Sequence, residues 1–199
     1  MNAAACHDAR RAASTRPASD VRTRRLVERY YGKIWKLLRR LGIAEAAVDD
    51  ATQEVFVIAA RRIDTIMAGS EHPFLYGTAV RVAADYRRRQ TSRREITGLD
   101  VIDRAPHPGE DPDAALDRHR ARALLDVVIA EMSNDVRDCF VLHELEGLEM
   151  KLIASMLAIP QGTVASRLRR AREEFSASAR RLRIRMGVPP TEAGRRSGR

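Results

Sequence analysis

Apolar residues recur at steps of three and four along most of this chain, and this spacing constrains its fold more than any other feature. Val27, Tyr31, Ile34, Leu38 and Leu41 follow such steps. Side chains at this spacing fall on one face of an α-helix, whereas a half-buried strand would alternate apolar and polar residues. The sequence therefore predicts an all-α protein.

One stretch, residues 95–118, interrupts the helical spacing. It contains Pro106, Pro108, Gly109 and Pro112 among acidic residues. Proline removes a backbone donor and glycine disfavours a helix interior, so this composition favours a flexible, acidic linker. The chain is thus predicted to form two small helical domains, residues 23–94 and 119–186, joined by this linker.

The two ends differ in composition from the helical units. Residues 1–22 are rich in Ala, Arg, Ser and Thr, and residues 187–199 combine Pro, Gly and Arg. Both are predicted to be disordered basic tails. The N-terminus lacks the apolar stretch of a signal peptide, and no run approaches the roughly 18 apolar residues of a membrane span. We therefore expect a soluble protein without membrane insertion.

The cysteines and the other reactive residues suggest no chemical centre. Cys6 and Cys139 are the only cysteines, and they lack paired spacing, which favours the reducing cytoplasm over a disulfide framework. The histidines are scattered, and neither a phosphate-binding glycine loop nor a catalytic or metal-ligand spacing stands out. We expect no enzyme activity, no metal and no cofactor.

The charge balance favours a polyanionic partner. Lys and Arg outnumber Asp and Glu by 36 to 27, which gives a formal charge of +9. Arginine carries most of the excess, and its planar guanidinium suits phosphate oxygens. An Arg-rich proteome with two solvated tails would give the same balance, so charge alone leaves both explanations open.

The C-terminal unit has the pattern of a helix-turn-helix. A helix that begins after Ser133, a typical N-cap residue, is expected to end at Gly147. Apolar residues then mark a short helix around Ile153, residues 157–160 a turn, and residues 161–175 a longer helix.

This longer helix is predicted to have one buried face and one free face. Val164, Leu168, Ala171 and Phe175 fall on one side, so the opposite side is solvated or lies in a DNA groove. The backbone N–H groups of Gln161, Gly162 and Thr163 are expected to be free at the helix start and able to hold a phosphate. Polar and arginine side chains on the free face can reach bases and phosphates. The predicted DNA-contacting residues are Gln161, Gly162, Thr163, Ser166, Arg167 and Arg170.

The segment GLEMKLIASMLAIPQGTVASRLRRARE, residues 147–173, resembles region 4 of the extracytoplasmic-function (ECF) group of the sigma-70 family. The resemblance implies binding of duplex minus-35 promoter DNA. A left-handed turn at Ala158, where relatives commonly have Gly, would cost about 1 kcal/mol relative to Gly. The segment departs from the family pattern at Glu149, Met150, Leu152, Ala158 and Ala165.

The segment VDDATQEVFVIAARRI, residues 48–63, resembles region 2.2 of the same family. The resemblance implies a helix that docks on the clamp coiled coil of the largest RNA polymerase subunit. An acidic first turn that merely favours the helix is the open alternative. The predicted docking face consists of Asp50, Gln53, Glu54 and Val57.

The segment HPFLYGTAVRVAADYRRRQTSRR, residues 72–94, resembles regions 2.3 and 2.4. Relatives use this helix and the loop before it, here about Asp64 to His72, to hold the melted minus-10 strand. Aromatic rings can receive unstacked bases and arginines can follow the phosphates, although the same aromatics could be core residues. The predicted minus-10 residues are Phe74, Tyr76, Arg81, Arg87 and Arg88, with Phe74 and Arg81 in place of the family's usual Trp and Asn.

Together these resemblances imply a sigma factor whose partners are core RNA polymerase, promoter DNA and an anti-sigma factor. Two other functions stay open at this point. One is a stand-alone helix-turn-helix regulator that needs no polymerase. The other is an interaction protein that binds polymerase without recognising promoters.

Overall fold

The computed structural model describes the backbone of residues 3–97 and 123–185, and the side chains of residues 19–91 and 123–185. Within these ranges every regular element is helical, and the chain divides into two compact units. The all-α prediction with two small domains is confirmed. Most of the predicted linker, and the predicted C-terminal tail, lie outside the described residues.

The N-terminal unit consists of three α-helices and a short 3-10 turn. Helix α1 spans Ala3–Arg40, α2 spans Glu45–Arg61, the 3-10 turn spans Ile63–Thr65 and α3 spans Glu71–Thr97. Helix α1 thus begins inside the range 1–22 that composition favours as a disordered tail. Its side chains are described from residue 19, and Arg22 contacts the segment after α2.

Helix α1 ends where Gly42 takes a left-handed conformation, with φ of 93°. The Gly42 N–H donates to Arg39 O at 3.0 Å, and the Ile43 N–H donates to Leu38 O at 3.1 Å. This is a Schellman C-cap, in which glycine avoids the steric penalty that a Cβ would add. The cap turns the chain sharply, so that α2 packs against α1.

The core of the N-terminal unit is formed by one face of each helix. On α1 and directly after it, the predicted Ile34, Leu38 and Leu41 are fully buried. Nearer the N-terminus, Leu26 and Tyr30 take the buried places predicted for Val27 and Tyr31. Tyr31 stays 37% exposed because its hydroxyl reaches a carboxylate on α2. The buried residues of α2 are Val48, Ala51, Thr52, Val55, Phe56 and Ala59, and those of α3 are Leu75, Tyr76, Thr78, Ala79, Val80, Val82 and Ala83.

The C-terminal unit begins with a helix over 123–130, here α4. Helix α5 spans Asn134–Phe140 and continues as a π-helical turn over Val141–Leu145, α6 spans Met150–Leu157 and α7 spans Gln161–Arg185. Ser133 is the N-cap of α5 as predicted, although its side chain makes no capping hydrogen bond.

Helix α7 extends further than the predicted end at residue 175. Ser178 is buried, and Arg181 forms an ion pair of 3.2 Å with Glu131 just after α4. Hydrogen bonds from Ser178 and Arg181 lower the pKa of Glu131. These contacts stabilise extra turns whose sequence alone has little apolar periodicity.

Arg137 joins the end of α4 to α5. Its guanidinium donates to the carbonyls of Ile129, Ala130 and Met132 at 2.8 to 3.1 Å. The last carbonyls of a helix lack partners within the helix, so this side chain satisfies them. The connection sets the path by which α5 leads to the helix-turn-helix.

The turn between α6 and α7 depends on Ala158, the only non-glycine residue with positive φ in the described chain, at 53°. The Ala158 N–H donates to Ser155 O at 3.4 Å, and the Ile159 N–H donates to Ala154 O at 3.1 Å. A left-handed alanine is strained because its Cβ approaches the following carbonyl. The left-handed turn considered from the sequence is therefore present.

We predict that Ala158→Gly raises the free energy of unfolding by about 0.5–1 kcal/mol, because glycine relieves the left-handed strain while losing more entropy on folding. Denaturant unfolding of the full chain measures this change. Ala165→Gly, at an exposed position inside α7, is the matched control and should lower stability by about 1 kcal/mol. Loss of stability in both variants would contradict the strain at Ala158.

Candidate nucleic-acid and polymerase interfaces

Helix α7 is anchored by one apolar face. Val164, Leu168 and Ala171 are buried, and the Phe175 ring stacks on Phe140 with centroids 5.2 Å apart. These residues were all predicted on the inner face, and the structure confirms it. The anchoring fixes which side chains of α7 face outward.

The outward face carries the polar residues that the sequence nominated. Gln161, Gly162, Ser166 and Arg170 are exposed, whereas Thr163 is half-buried. Ser166 Oγ donates to Thr163 O at 2.9 Å, which directs the hydroxyl along the helix. The outward face therefore presents short polar side chains near the helix start and a guanidinium one turn later.

The expectation of three free N–H groups at the start of α7 is wrong for Thr163. Its N–H donates to Pro160 O at 2.9 Å. The carbonyl before the helix takes part in the first turn and so uses that donor. An anion at this helix start would meet Gln161 and Gly162 rather than all three residues.

The two predicted arginines of α7 are paired with carboxylates. Arg167 contacts Asp135 of α5 at 2.6 Å, and Arg170 contacts Glu174 at 2.7 Å. The Arg167 side chain is 25% exposed and that of Arg170 is 66% exposed. Arg170 is thus the freer cation, while Arg167 is held against α5.

In the N-terminal unit, α2 turns a mixed polar and apolar face outward. Asp50, Gln53 and Glu54 are exposed, and Val57 is 47% exposed. Val48, Val55 and Ala59 on the other side are fully buried. The structure thus brings the four predicted docking residues together on one exposed face.

An aromatic and acidic edge beside this face was missed from the sequence. Tyr31 stacks on Phe56 with centroids 6.0 Å apart, and its hydroxyl donates to Asp49. The Trp35 indole N–H donates to the same Asp49 oxygen at 2.9 Å. Burial raises the pKa of Tyr31, and the Asp49 charge adds to that shift. The i, i+4 spacing of Tyr31 and Trp35 places both rings on one side of α1, and this spacing was the sequence signal that could have revealed the edge.

The predicted minus-10 residues of α3 fall into different environments. Phe74 is half-buried, Arg81 is exposed and bonds Thr78 Oγ1 at 3.3 Å, and Arg88 is exposed beside Asp85. Arg87 is half-buried and donates to Leu41 O at 2.8 Å, so it also braces the end of α1.

Tyr76 does not join this surface. It is only 2% exposed, and its ring stacks on His72 at 4.0 Å between centroids. A base cannot stack on a ring whose faces are covered by the core. The prediction that Tyr76 contacts an unstacked base is therefore corrected, and its role is to pack α3 into the N-terminal unit.

Comparison with known proteins accounts for both units. The family model described as Sigma-70 region 2 matches residues 26–93, and that of Sigma-70 region 4 matches residues 119–175. The ECF RNA polymerase sigma-E factor of Escherichia coli K12 is 31% identical over 156 residues, covering 74% of this chain and 81% of that protein. The chain belongs to the ECF group of the sigma-70 family.

Other relatives agree with this assignment. The RNA polymerase sigma-H factor of Pseudomonas aeruginosa is 30% identical over 165 residues, covering 79% of this sigma factor and 86% of that one. A stand-alone helix-turn-helix regulator is not favoured, because residues 26–93 match region 2. The protein is a sigma factor that binds core RNA polymerase and directs promoter-specific transcription.

Two solved structures share the fold. The sigma factor RpoE in complex with the anti-sigma factor NepR from Bartonella quintana matches with a TM-score of 0.67 and 17% identity, covering 79% of this chain and 96% of that one. CnrH in complex with the cytosolic domain of CnrY matches with a TM-score of 0.55 and 23% identity, covering 80% of this chain and 88% of that one.

Residues 3–97 and 123–185 contain no helix that is long and apolar enough to cross a membrane. The same part of the chain holds no group of three or more His, Cys, Asp or Glu side chains that could bind a metal ion.

We predict that Tyr76→Ala lowers the free energy of unfolding by about 3–5 kcal/mol, because it leaves a large cavity in the core. Phe74→Ala is the matched control and should cost less than half of that, since Phe74 is only half-buried. Denaturant unfolding followed by circular dichroism measures both. An equal or smaller loss for Tyr76 would contradict its assignment to the core.

Proposed function

We propose that the two units of this sigma factor read two parts of one promoter. Helix α7 lies in the major groove of the duplex minus-35 element, and the surface of α3 with the loop before it holds the melted minus-10 strand. The observation that carries this proposal is the division of α7 into a buried apolar face and an outward polar face.

The minus-35 assignment is supported by the chemistry of the outward face of α7. A recognition helix contacts base edges with its N-terminal residues, and the residues available there are Gln161, Thr163 and Ser166. Arg170 is exposed and one turn further on, where a phosphate or a guanine edge is within reach of a guanidinium. Arg167 can contribute a second phosphate contact, although its ion pair with Asp135 of α5 limits its movement.

The minus-10 assignment is supported by exposed cations and a partly exposed aromatic ring on the same helix, α3. Arg81 and Arg88 can follow the phosphates of a single strand, and Phe74 offers part of a ring to an unstacked base. Arg87 is shared between this surface and the carbonyl of Leu41. Tyr76 has no part in the proposal.

Core polymerase is proposed to bind the exposed face of α2 formed by Asp50, Gln53, Glu54 and Val57. The acidic groups favour a basic partner surface and increase the association rate, while Val57 provides apolar contact at the C-terminal end of the face. The Asp49 edge lies on the same helix and extends the acidic character of this face.

We predict that Arg167→Ala with Arg170→Ala lowers the slope of log affinity against log salt by about 1.8, because each lost phosphate contact removes about 0.9. Filter binding of the full chain, in holoenzyme, to a selected promoter fragment measures the slope. Arg172→Ala is the control, since Arg172 pairs with Glu144 and projects from another side of α7. An unchanged slope in the double variant would remove α7 from the DNA interface.

We predict that Asp50→Lys with Glu54→Lys weakens binding to core polymerase by at least about tenfold, because charge reversal places like charges in the interface. Fluorescence anisotropy of the labelled chain with purified core enzyme measures the affinity. Asp20→Lys with Glu28→Lys reverses two exposed acids of α1 and should change the affinity far less. Equal loss in both variants would mean that net charge, rather than this face, determines binding.

The activity proposed for the isolated chain is binding only, and polymerisation belongs to the core enzyme. Recognition of duplex and single-stranded DNA uses contact energy and needs no cofactor. Because its partner polymerase works in the bacterial cytoplasm, this sigma factor is proposed to act there.

An anti-sigma factor is proposed as a further partner. Two similar solved structures are complexes, one of the sigma factor RpoE with the anti-sigma factor NepR and one of CnrH with the cytosolic domain of CnrY. A protein that occupies the α2 face or the outward face of α7 would stop holoenzyme assembly or promoter binding. Competition between core polymerase and a protein that co-purifies with this chain tests the proposal.

A further inference from the structure

Arg22 of α1 reaches across to the segment between α2 and α3. Its Nη1 donates to Ile63 O at 2.8 Å, and its Nη2 donates to Ile66 O at 2.6 Å and to Glu71 Oε1 at 2.9 Å. One guanidinium therefore bridges two backbone carbonyls and a carboxylate. Arg22 also lies ahead of the region 2 match, which begins at residue 26.

Glu71 completes the arrangement from the start of α3. Its Oε2 accepts the Gly69 N–H at 2.7 Å while its Oε1 is held by Arg22. Gly69 has φ of 86°, a conformation that suits glycine. The hydrogen bond from Arg22 lowers the pKa of Glu71, with its backbone hydrogen bonds acting in the same direction. Both ends of the segment are thus tied to a single charged pair.

The segment 62–70 has an inner and an outer side. Ile63 and Ile66 are buried at 1% and 5% exposure, and Arg22 holds their carbonyls. Between and after them the chain turns its side chains outward, and Met67 is 74% exposed. Such a segment is anchored on its inner side and free to meet a ligand on its outer side.

We infer that Arg22 and Glu71 are positioning residues for promoter opening. They act through the segment 62–70, which they hold in the shape that receives the unpaired minus-10 strand. This inference rests on the proposed function, in which the loop before α3 takes part in holding the melted strand. It adds to the site a residue from outside the region 2 match.

The physical reason is pre-organisation. A loop that has to be ordered when the strand arrives loses conformational entropy at that moment, and this loss weakens capture. Arg22 orders the loop in advance because its planar fork donates to three acceptors at once. A lysine carries the same charge but cannot reproduce that planar fork.

A positioning role for Arg22 can be told from a general role in stability, because its substitution should leave the other binding surfaces unchanged. The Arg22 side chain is 35% exposed, and the core beneath it is built from apolar residues of all three helices. Loss of the Arg22–Glu71 pair should therefore loosen the segment 62–70 while the α2 docking face and α7 keep their structures.

The test uses the full chain in holoenzyme with purified core RNA polymerase. The DNA is a promoter fragment taken from a start site that the wild-type holoenzyme selects on genomic DNA. The variants are Arg22→Ala, Arg22→Lys and Glu71→Gln, and Arg24→Ala is the control because it removes the same charge from an exposed position of α1. Permanganate reactivity of unpaired thymines measures opening, and anisotropy measures affinity for core polymerase and for the duplex minus-35 fragment.

Arg22→Ala is expected to reduce the equilibrium constant of promoter opening about tenfold, because it removes the charge-assisted hydrogen bonds that Arg22 donates. Its affinities for core polymerase and for minus-35 DNA should stay within about twofold of wild type, as for other surface substitutions. Glu71→Gln should reduce opening in the same direction by a smaller factor, Arg22→Lys should recover part of the loss, and Arg24→Ala should match wild type.

Normal promoter opening by Arg22→Ala would overturn the inference and leave the proposed function standing. The same holds if its opening defect is no larger than its loss of affinity for core polymerase. If Arg22→Ala fails to fold, Glu71→Gln decides the outcome, since it keeps the shape of the side chain. Normal opening by a folded Glu71→Gln would then overturn the inference. If the wild-type holoenzyme selects no start sites, the proposed function fails and the inference fails with it.

Discussion

In the proposed function, the burial of one face of α7 determines which of its side chains can meet DNA. Val164, Leu168 and Ala171 lie in the core of the C-terminal unit, and Phe175 stacks on Phe140. A helix fixed in this way cannot rotate, so the side chains opposite the core are the ones offered to a groove. The left-handed turn at Ala158 sets how α7 follows α6, and the protein accepts strain there to keep that geometry.

Arginine serves two purposes in this sigma factor, which is why its net charge overstates the number of cations free to bind DNA. Arg22 and Arg137 hold backbone carbonyls, and Arg87 donates to the carbonyl of Leu41 at the end of α1. Arg167 is paired with Asp135 on a neighbouring helix. Because a guanidinium has five donors, an arginine that braces the fold can still contact a phosphate. In the proposed function, Arg87 and Arg167 therefore serve both the fold and DNA recognition.

Much of the architecture follows from local sequence rules. The helical spacing predicted the all-α fold, and Gly147 predicted the end of the helix that begins after Ser133. The pattern around Ile153 and residues 161–175 predicted α6 and the start of α7. The inner face of α7 was predicted residue by residue. These features depend on interactions within a few residues, which a single sequence encodes directly.

Other features depend on contacts between distant segments and could not be read from periodicity. Tyr76 looked like a base-stacking residue, but His72 and the core cover its ring. The extension of α7 depends on an ion pair between Arg181 and Glu131, which follows α4. The role of Arg22 depends on the carbonyls of Ile63 and Ile66, which lie 41 and 44 residues further along the chain. Composition placed Arg22 at the edge of a disordered tail because composition carries no information on such tertiary partners.

This chain turns core RNA polymerase into an enzyme that starts at chosen promoters. The most direct test is transcription of genomic DNA fragments by purified core polymerase with and without the chain, with the 5′ ends of the transcripts mapped. We expect a stable complex with core polymerase and a discrete set of start sites that appears only when the chain is present. Failure to bind core polymerase, or binding without any new start site, would show that the chain is not a working sigma factor.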